Sequence, residues 1–416
     1  MRARLANSIV LDLGSSKIAA LAAYVEHNGE ARILCQNLSY SDGIKSGMIT
    51  DLKQAENSLV NAIYSLEKHC DKNIKQAAIS LSGVGTKSYY VYNVIKLQDN
   101  KPVTKQDVQK LIQKSIKDFA VKDQEIIHYF PIEFTLDNHN ALQDPIGMLG
   151  RELGCRMHII TADSNMLLNL SHCLSKCQVE ISNVFLAIYA DGLSCLTEDE
   201  QNLGSVIIDI GAKTTSIGIF LGKKLLYSGY VPVGGWHITS DIAKAFAINM
   251  NAAEKIKLMY GSAAFMSSNR DSMINLDDFD PSASENLDNS TISIDDLSEI
   301  ISPRAEEIFD LIKDLYDQLE VDHLIARRVV ITGGSSLLQG MKEVAGKVFS
   351  RGVRIGRPVM IPGFAEDCNP CIYSASLGMI KLDALIKQKN FYLYARPNQE
   401  DGGYLSKVIA WLKTNI

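Results

Sequence analysis

The 416-residue chain is expected to fold as an α/β protein of two lobes, with a β-α-β-β subdomain inserted in the first and an amphipathic helix at the C-terminal end. Three stretches predict the lobes. Val206–Phe220 (VIIDIGAKTTSIGIF) reads as strand, sharp turn, strand. A β-branched apolar run ends at Asp209, and Gly211 permits a turn that a Cβ would obstruct. Thr214 and Thr215 supply hydroxyls, and apolar residues resume at Ile217. Ile9–Leu21 (IVLDLGSSKIAAL) repeats the design with Asp12, Gly14, Ser15, Ser16 and Lys17. Arg328–Gly340 (RVVITGGSSLLQG) is a strand running into Gly333 and Gly334, then an expected helix. A carboxylate followed by a tight, donor-rich turn suits a metal–phosphate group: N–H and O–H groups face phosphate oxygens, the carboxylate faces the cation. Two such turns far apart in sequence predict two related half-domains facing each other across a nucleotide. The paired glycines would let backbone approach that ligand closely.

Composition adds little to this and excludes some classes. With 46% hydrophobic and 22% charged residues the chain matches ordinary globular proteins, and a net charge of −6 gives no ground for nucleic-acid binding. The N-terminal Met-Arg-Ala-Arg lacks a long apolar region after it, so no secretory signal is expected, and no apolar run is long enough to span a bilayer. The eight cysteines read as reduced thiols. Cys368 and Cys371 have CxxC spacing, but no second pair or nearby His completes a zinc site.

Along the chain, 31–38 is read as a third strand and 43–51 as a turn-rich connector. A helix follows with Leu59, Ala62, Ile63 and Leu66 on one face, then a strand at 76–82. Gly83-Val-Gly-Thr-Lys-Ser88 lacks the third glycine and the following helix of a dinucleotide loop, and is rejected as one. From 84 to about 160 the texture changes. A strand at 89–97, a helix opening at Thr104, and strands at 125–134 and 156–161 form the inserted unit. A helix at 164–176, a strand at 184–189 and a linker at 193–204 return to the second hairpin. Gly234 and Gly235 precede another helix. The helix ending at Gly261 places Glu254 and Lys257 on one face. Residues 270–299 are rich in acids, and Ser302-Pro303 is read as the start of a long helix buried through Ile308, Leu311, Ile312, Leu315 and Leu319.

The C-terminal end divides into a tether, 395–403, and the stretch Tyr404–Ile416. At about 100° per residue, Leu405, Val408, Ile409, Leu412 and Ile416 share one narrow sector, flanked by Trp411. Such a helix is about 20 Å long, too short for the ~30 Å hydrocarbon core; it would lie either in a membrane interface or docked on the protein's own core, and the loose Gly402-Gly403 tether favours the membrane.

Three features together resemble the FtsA family of actin-like bacterial cell-division proteins, in the superfamily of actin, Hsp70 and sugar kinases. They are Pro145-x-Gly147-x-x-Gly150-x-x-Leu153 in the insertion, Val233-Gly-Gly-x-x-Ile-Thr-x-Asp241 after the second hairpin, and the tethered C-terminal helix. The resemblance covers nearly the whole chain. It implies a two-lobed actin-like ATPase fold, with duplicated ribonuclease H-like domains. Lobe 1 would take residues 1–83, 164–195 and 370–394, and lobe 2 residues 196–232 and 305–369. An SHS2-like insertion would take 84–163 and a small subdomain 233–304, before a linker, 395–403, and a membrane helix, 404–416. It implies ATP and Mg2+ as ligands, with Asp12 and Asp209 facing the metal. Gly14, Ser15, Ser16 and Lys17 would hold phosphates from one side, and Gly211, Thr214 and Thr215 from the other, with Lys213, outside the family pattern, adding a charge to the phosphates. Gly235, Gly333, Gly334 and Ser335 would border the adenosine, with Glu254 and Lys257 near the ribose. Glu198 is the candidate for orienting an attacking water, and Arg304 for a salt bridge to the C-terminal tail of the tubulin-like FtsZ.

Family members polymerise on the cytoplasmic face of the inner membrane at the septum, link FtsZ to anionic phospholipid and recruit later division proteins. Two departures stand out. Ala212-Lys213 replaces the Gly-Gly common before the threonines, and Ser216 stands where Asp is frequent, so nucleotide binding is more expected than efficient hydrolysis. A type IV pilus assembly ATPase with a similar insertion is the nearest alternative. A metabolic kinase would need a sugar pocket and a catalytic Asp that the sequence does not offer. A chaperone ATPase would need a further peptide-binding domain.

Overall fold

Each hairpin seeds a sheet, and the two sheets have the same topology. A computed structural model of the chain describes residues 5–98, 101–137, 139–264, 273–281, 291–319 and 328–388. In the first lobe β1 (Ser8–Leu13), β2 (Lys17–Val25) and β3 (Ala31–Tyr40) form an antiparallel meander. The small hairpin β4 (Ile44–Lys45) and β5 (Met48–Ile49) falls within the expected connector. Helix α1 (Leu52–Cys70), capped by Asp51, leads to β6 (Gln76–Leu81), parallel to β1.

The insertion is β7 (Thr86–Lys96), α2 (Lys105–Asp118), β8 (Gln124–Leu136), β9 (His139–Leu142) and β10 (Glu152–Asp163), in the order β7-β10-β8-β9. Its own apolar core includes Leu111, Phe134, Met157 and Ile159. The insertion also touches lobe 2: His158 Nδ1 lies 2.8 Å from the Leu225 carbonyl, and the Tyr90 hydroxyl donates to the Leu226 carbonyl at 2.6 Å.

The chain returns through α3 (Ser164–Lys176) and β11 (Glu180–Leu186), parallel to β6. The expected strand 184–189 stops at Leu186. Beyond it, helix α4 (Ala187–Cys195) is buried along its whole length, and α5 (Glu198–Leu203) is closed by a Thr197/Glu200 capping box. Two helices thus replace most of the expected linker.

Lobe 2 repeats the plan. Strands β12 (Ser205–Ile210), β13 (Thr215–Leu221) and β14 (Lys224–Val231) form the meander; α6 (Gly235–Ala245) and α7 (Met250–Tyr260) follow. A short ladder of β15 (Met273–Asn275) and β16 (Thr291–Ser293) precedes α8 (Ile294–Asp317). Helix α8 begins nine residues before the expected Ser302-Pro303 start. The Ser293 Oγ accepts from the Asp296 N–H at 3.0 Å while Asp296 Oδ2 accepts from the Ser293 N–H at 2.8 Å, and that capping box nucleates the turn. Pro303 sits inside the helix, so residues 304 and 305 belong to one continuous element. Strand β17 (Arg328–Thr332) is parallel to β12, α9 (Met341–Phe349) follows, and β18 (Gly352–Ile355) is parallel to β17. The chain then crosses back to lobe 1 as α10 (Ser374–Lys387).

The sheet orders, β3-β2-β1-β6-β11 and β14-β13-β12-β17-β18, are each three antiparallel strands continued by two parallel ones. Helices α4 and α10 cross where the lobes join. A Cβ on Gly378 would stand 1.9 Å from the Ala190 carbonyl oxygen, and one on Gly192 would stand 2.1 Å from the Phe220 ring, so only glycine allows this approach. No helix among the described residues is long and apolar enough to cross a membrane, and 395–416, with Leu405, Val408, Ile409, Trp411, Leu412 and Ile416, lie outside the described residues.

Candidate functional site

The two expected phosphate turns close identically. The Gly14 N–H donates to the Lys17 carbonyl and the Gly211 N–H to the Thr214 carbonyl, both at 3.0 Å. A Cβ on either glycine would meet that carbonyl oxygen, at 2.7 and 3.1 Å. Asp12 and Asp209 occupy equivalent positions one residue before the last strand residue, opposite Ala19 and Ser216. The first turn is braced by the Ser46 N–H donating to Ser15 Oγ at 2.7 Å and the Ser41 N–H donating to the Ser16 carbonyl at 3.1 Å.

The fold brings these turns together. Gly333 adopts φ 85°, and a Cβ there would stand 2.1 Å from Asp209 Oδ1; one on Gly334 would stand 3.6 Å from Lys17 Nζ. The lysine of one lobe therefore reaches the glycine loop of the other. Its Nζ also donates to the Ile372 carbonyl at 2.9 Å. Behind the second turn, the Ser335 hydroxyl and the Gly235 N–H both donate to the Gly211 carbonyl, at 3.1 and 3.0 Å. The Thr215 hydroxyl donates to the Val233 carbonyl at 2.8 Å. Thr214 and Thr215 are both buried. Lys213 lies over the Trp236 ring at 4.8 Å from its centroid. Burial and the Lys45 ammonium hold its pKa below the ordinary lysine value.

The helix pair α6–α7 carries the Glu254–Lys257 pair as expected. Lys257 Nζ donates to Glu254 Oε2 and to the Thr239 hydroxyl at 2.7 Å, and to the Gly235 carbonyl at 3.1 Å. Lys257 is buried and thus ties α7 to the start of α6, while half-exposed Glu254 presents the outer edge of the pair. The 3-10 turn Gly334–Leu337 follows β17, where a helix was expected; α9 starts only at Met341. Gly340, at φ 82°, stands between the two.

Electrostatics single out one cluster. Burial raises the pKa of Asp12, against the Ser80 hydroxyl, which donates to Asp12 Oδ1 at 2.6 Å, and against Lys17. Burial, then repulsion from Asp12, pushes Asp209 up to about 7. Burial pulls Lys17 down, opposed by Asp12, Asp209 and Asp191. Asp191, on α4, was not among the expected residues. Its signal in the sequence is a lone carboxylate in an apolar segment, Phe185–Leu196. It is fully buried, and burial followed by repulsion from Asp209 raises its pKa well above the carboxylate range.

Between about 4 and about 7 the folded chain keeps the Asp209 proton that the unfolded chain has released, so stability falls as pH rises through this window and stays lowered above it. Without nucleotide or metal, Asp209→Asn should raise Tm by about 2–4 °C at pH 8, the gain growing from pH 5.5 to 7.5. A gain that shrinks as pH rises, followed by differential scanning fluorimetry, would contradict a buried, repelled carboxylate.

Two expected residues are not brought to this cluster. Glu198 begins α5 and pairs with Lys223 in the turn between β13 and β14, with 79% of its side chain exposed. That turn is at the opposite end of β13 from Thr214, roughly 20 Å away at about 3.3 Å per residue. The chain reaches Asp209 only after α5 and most of β12, so an acid-rich segment close in sequence is remote in space. Arg304 is already engaged: its Nε donates to Asp241 Oδ2 at 2.6 Å, its Nη2 to Asp241 Oδ1 at 3.3 Å and its Nη1 to Glu307.

Comparison with known proteins bears on this arrangement. The family model "Cell division protein FtsA" matches residues 206–378, and "SHS2 domain inserted in FTSA" matches 83–161; together they span more than half of the chain. The chain is 28% identical over 413 residues to the cell division protein FtsA of Neisseria meningitidis, covering 98% of each chain. It is 29% identical over 382 residues to that of Rhizobium meliloti, covering 89% of this chain and 86% of the relative. For Escherichia coli K12 the figures are 28% over 378 residues, 89% and 88%. Among solved structures, a chain of the PilM-PilN type IV pilus biogenesis complex superposes with TM-score 0.65 at 14% identity, covering 93% of this chain and all of that one. MreB5 of Spiroplasma citri bound to ADP superposes with TM-score 0.54 at 15% identity, covering 91% and 97%. At such identities these last two show the actin-like fold alone.

Proposed function

The chain belongs to the FtsA family of cell-division proteins, and on that footing we propose that it is a nucleotide-regulated membrane scaffold of the bacterial divisome. It binds Mg-ATP between its lobes, polymerises on the cytoplasmic face of the inner membrane through its C-terminal helix, holds FtsZ there by its C-terminal tail, and recruits later division proteins. The observation that carries the reading is the convergence of Asp12, Lys17, Asp209 and the Gly333–Gly334 loop from opposite lobes.

Mg2+ fits this donor set. Among the described residues no three His, Cys, Asp or Glu side chains stand close enough to hold a metal by themselves. Mg2+ characteristically takes one or two carboxylates and keeps waters and phosphate oxygens as its other ligands. Bound there, the Mg-triphosphate would supply positive charge to the buried carboxylates and anionic oxygens to the turn N–H groups. Asp12 and Asp209 would face the metal, Lys17 would neutralise phosphate charge from lobe 1, and Lys213 would do so from lobe 2 by leaving the Trp236 face. Because Lys17 meets the Gly333–Gly334 loop across the cleft, occupancy would fix the angle between the lobes, and that angle sets contacts along a filament.

With Glu198 remote and Lys213 in the second turn, the site is better suited to holding nucleotide than to fast turnover. The pilus reading rests on a fold likeness, whereas the sequence matches cover the insertion and the second lobe alike.

A peptide of the FtsZ C-terminal tail should bind the protein with Kd between about 1 μM and 1 mM, weakening as salt rises. Fluorescence anisotropy measures this. Arg304→Ala should weaken binding by about threefold to tenfold if Arg304 turns from Asp241 to the peptide. A peptide that does not bind at millimolar protein removes the FtsZ link.

A further inference from the structure

Asp191 has no role in the reading so far, yet it is the least satisfied ionisable group of the cleft. It lies on α4 where that helix crosses α10, with 0% exposure. The Ser374 side chain is close enough to ease its charge, but neither carboxylate oxygen makes a hydrogen bond of normal geometry. Its charged neighbours are Asp209 and Asp12, which repel it, and Lys17, whose Nζ donates to the Ile372 carbonyl. The rest of α4 is apolar or small, so packing alone would be served by alanine. A buried acid without a well-formed hydrogen bond is expensive to keep, and the three acids around one lysine, which hold on to protons in the empty cleft, would on ionising leave an excess of negative charge that a cation can meet. Since no three side chains among the described residues can ligate a bare ion, that cation would have to bring its own waters, and a carboxylate set back from the metal is placed to receive hydrogen bonds from them.

We propose that Asp191 is a positioning residue of the nucleotide site, accepting hydrogen bonds from the water shell of the nucleotide-bound Mg2+ and so making nucleotide affinity depend on that metal. The proposal deepens the Mg-ATP reading above and rests on it. It also links the α4–α10 crossing, where the lobes join, to the ligand's metal through water.

The test is nucleotide affinity of the full chain with Mg2+ and with EDTA, by calorimetry or a fluorescent ATP analogue, for wild type, Asp191→Asn and Asp191→Ala. In wild type the ratio of the metal-free to the metal-bound Kd is expected to be large. In both variants that ratio should fall by at least about tenfold, chiefly through weaker binding with Mg2+. A merely structural Asp191 would lower affinity equally in both conditions or leave it unchanged, and either result overturns the proposal. If wild type binds no nucleotide at all, the Mg-ATP reading itself fails. Should Asp191→Ala not fold, the isosteric Asp191→Asn decides.

Discussion

Replacing Asp12 and Asp209 together by alanine should abolish Mg-ATP binding, lowering affinity at least about 100-fold by calorimetry. The two carboxylates come from different lobes and hold the same penultimate position on equivalent strands. Without metal they are a burden, since burial raises the pKa of both and they repel each other. The double variant should therefore be as stable as the wild type or more so without ligand, while losing the thermal shift that wild type gains from Mg-ATP. These opposite signs separate a binding site from a structural ion cluster. Replacing a structural cluster would lower Tm and spare binding. Tight Mg-ATP binding by a folded double variant would place the nucleotide elsewhere.

Local chemistry was legible in the sequence wherever it was written in consecutive residues. The two Asp-x-Gly turns, the Gly-Gly loop after β17 and the Glu254–Lys257 spacing all appear where the residues placed them, because a tight turn and a helical step of three depend on neighbours within a few positions. Errors arose where tertiary contact decided. Ala187, Ile188 and Tyr189 read as the end of a strand, but burial of α4 against both lobes makes them helical. Ser302-Pro303 has the form of a helix start, yet the Ser293–Asp296 capping box upstream prevails and the proline is carried inside. Glu198 stands only eleven positions before Asp209, yet a helix and most of a strand carry it to the far end of the sheet. Asp191 is the converse case. A single acid in an apolar run looks unremarkable until the fold sets it beside two others.

Deleting 404–416, or changing Ile409 and Leu412 to Asp, should reduce cosedimentation with anionic vesicles to background while leaving Tm unchanged. The described body ends at residue 388, with α10 packed into the core of lobe 1 through Leu377 and Ile380. On the helix that the sequence predicts, Leu405, Val408, Ile409, Leu412 and Ile416 would share one face and offer roughly 1.5–3 kcal/mol each when fully buried in acyl chains, against the cost of folding and immobilising a short helix. One aspartate in that face forfeits about 2.5–3.5 kcal/mol at full depth and less at the interface, so two should tip a marginal balance completely. Marginality also predicts a dependence on assembly. A single helix binds reversibly, whereas a filament presenting many of them holds on as a unit, so ATP and FtsZ should raise vesicle binding of the intact chain and have no effect on the truncated one. If truncation lowers Tm and vesicle binding survives, the helix belongs to the protein's own core, and attachment to the membrane must be sought on the folded lobes.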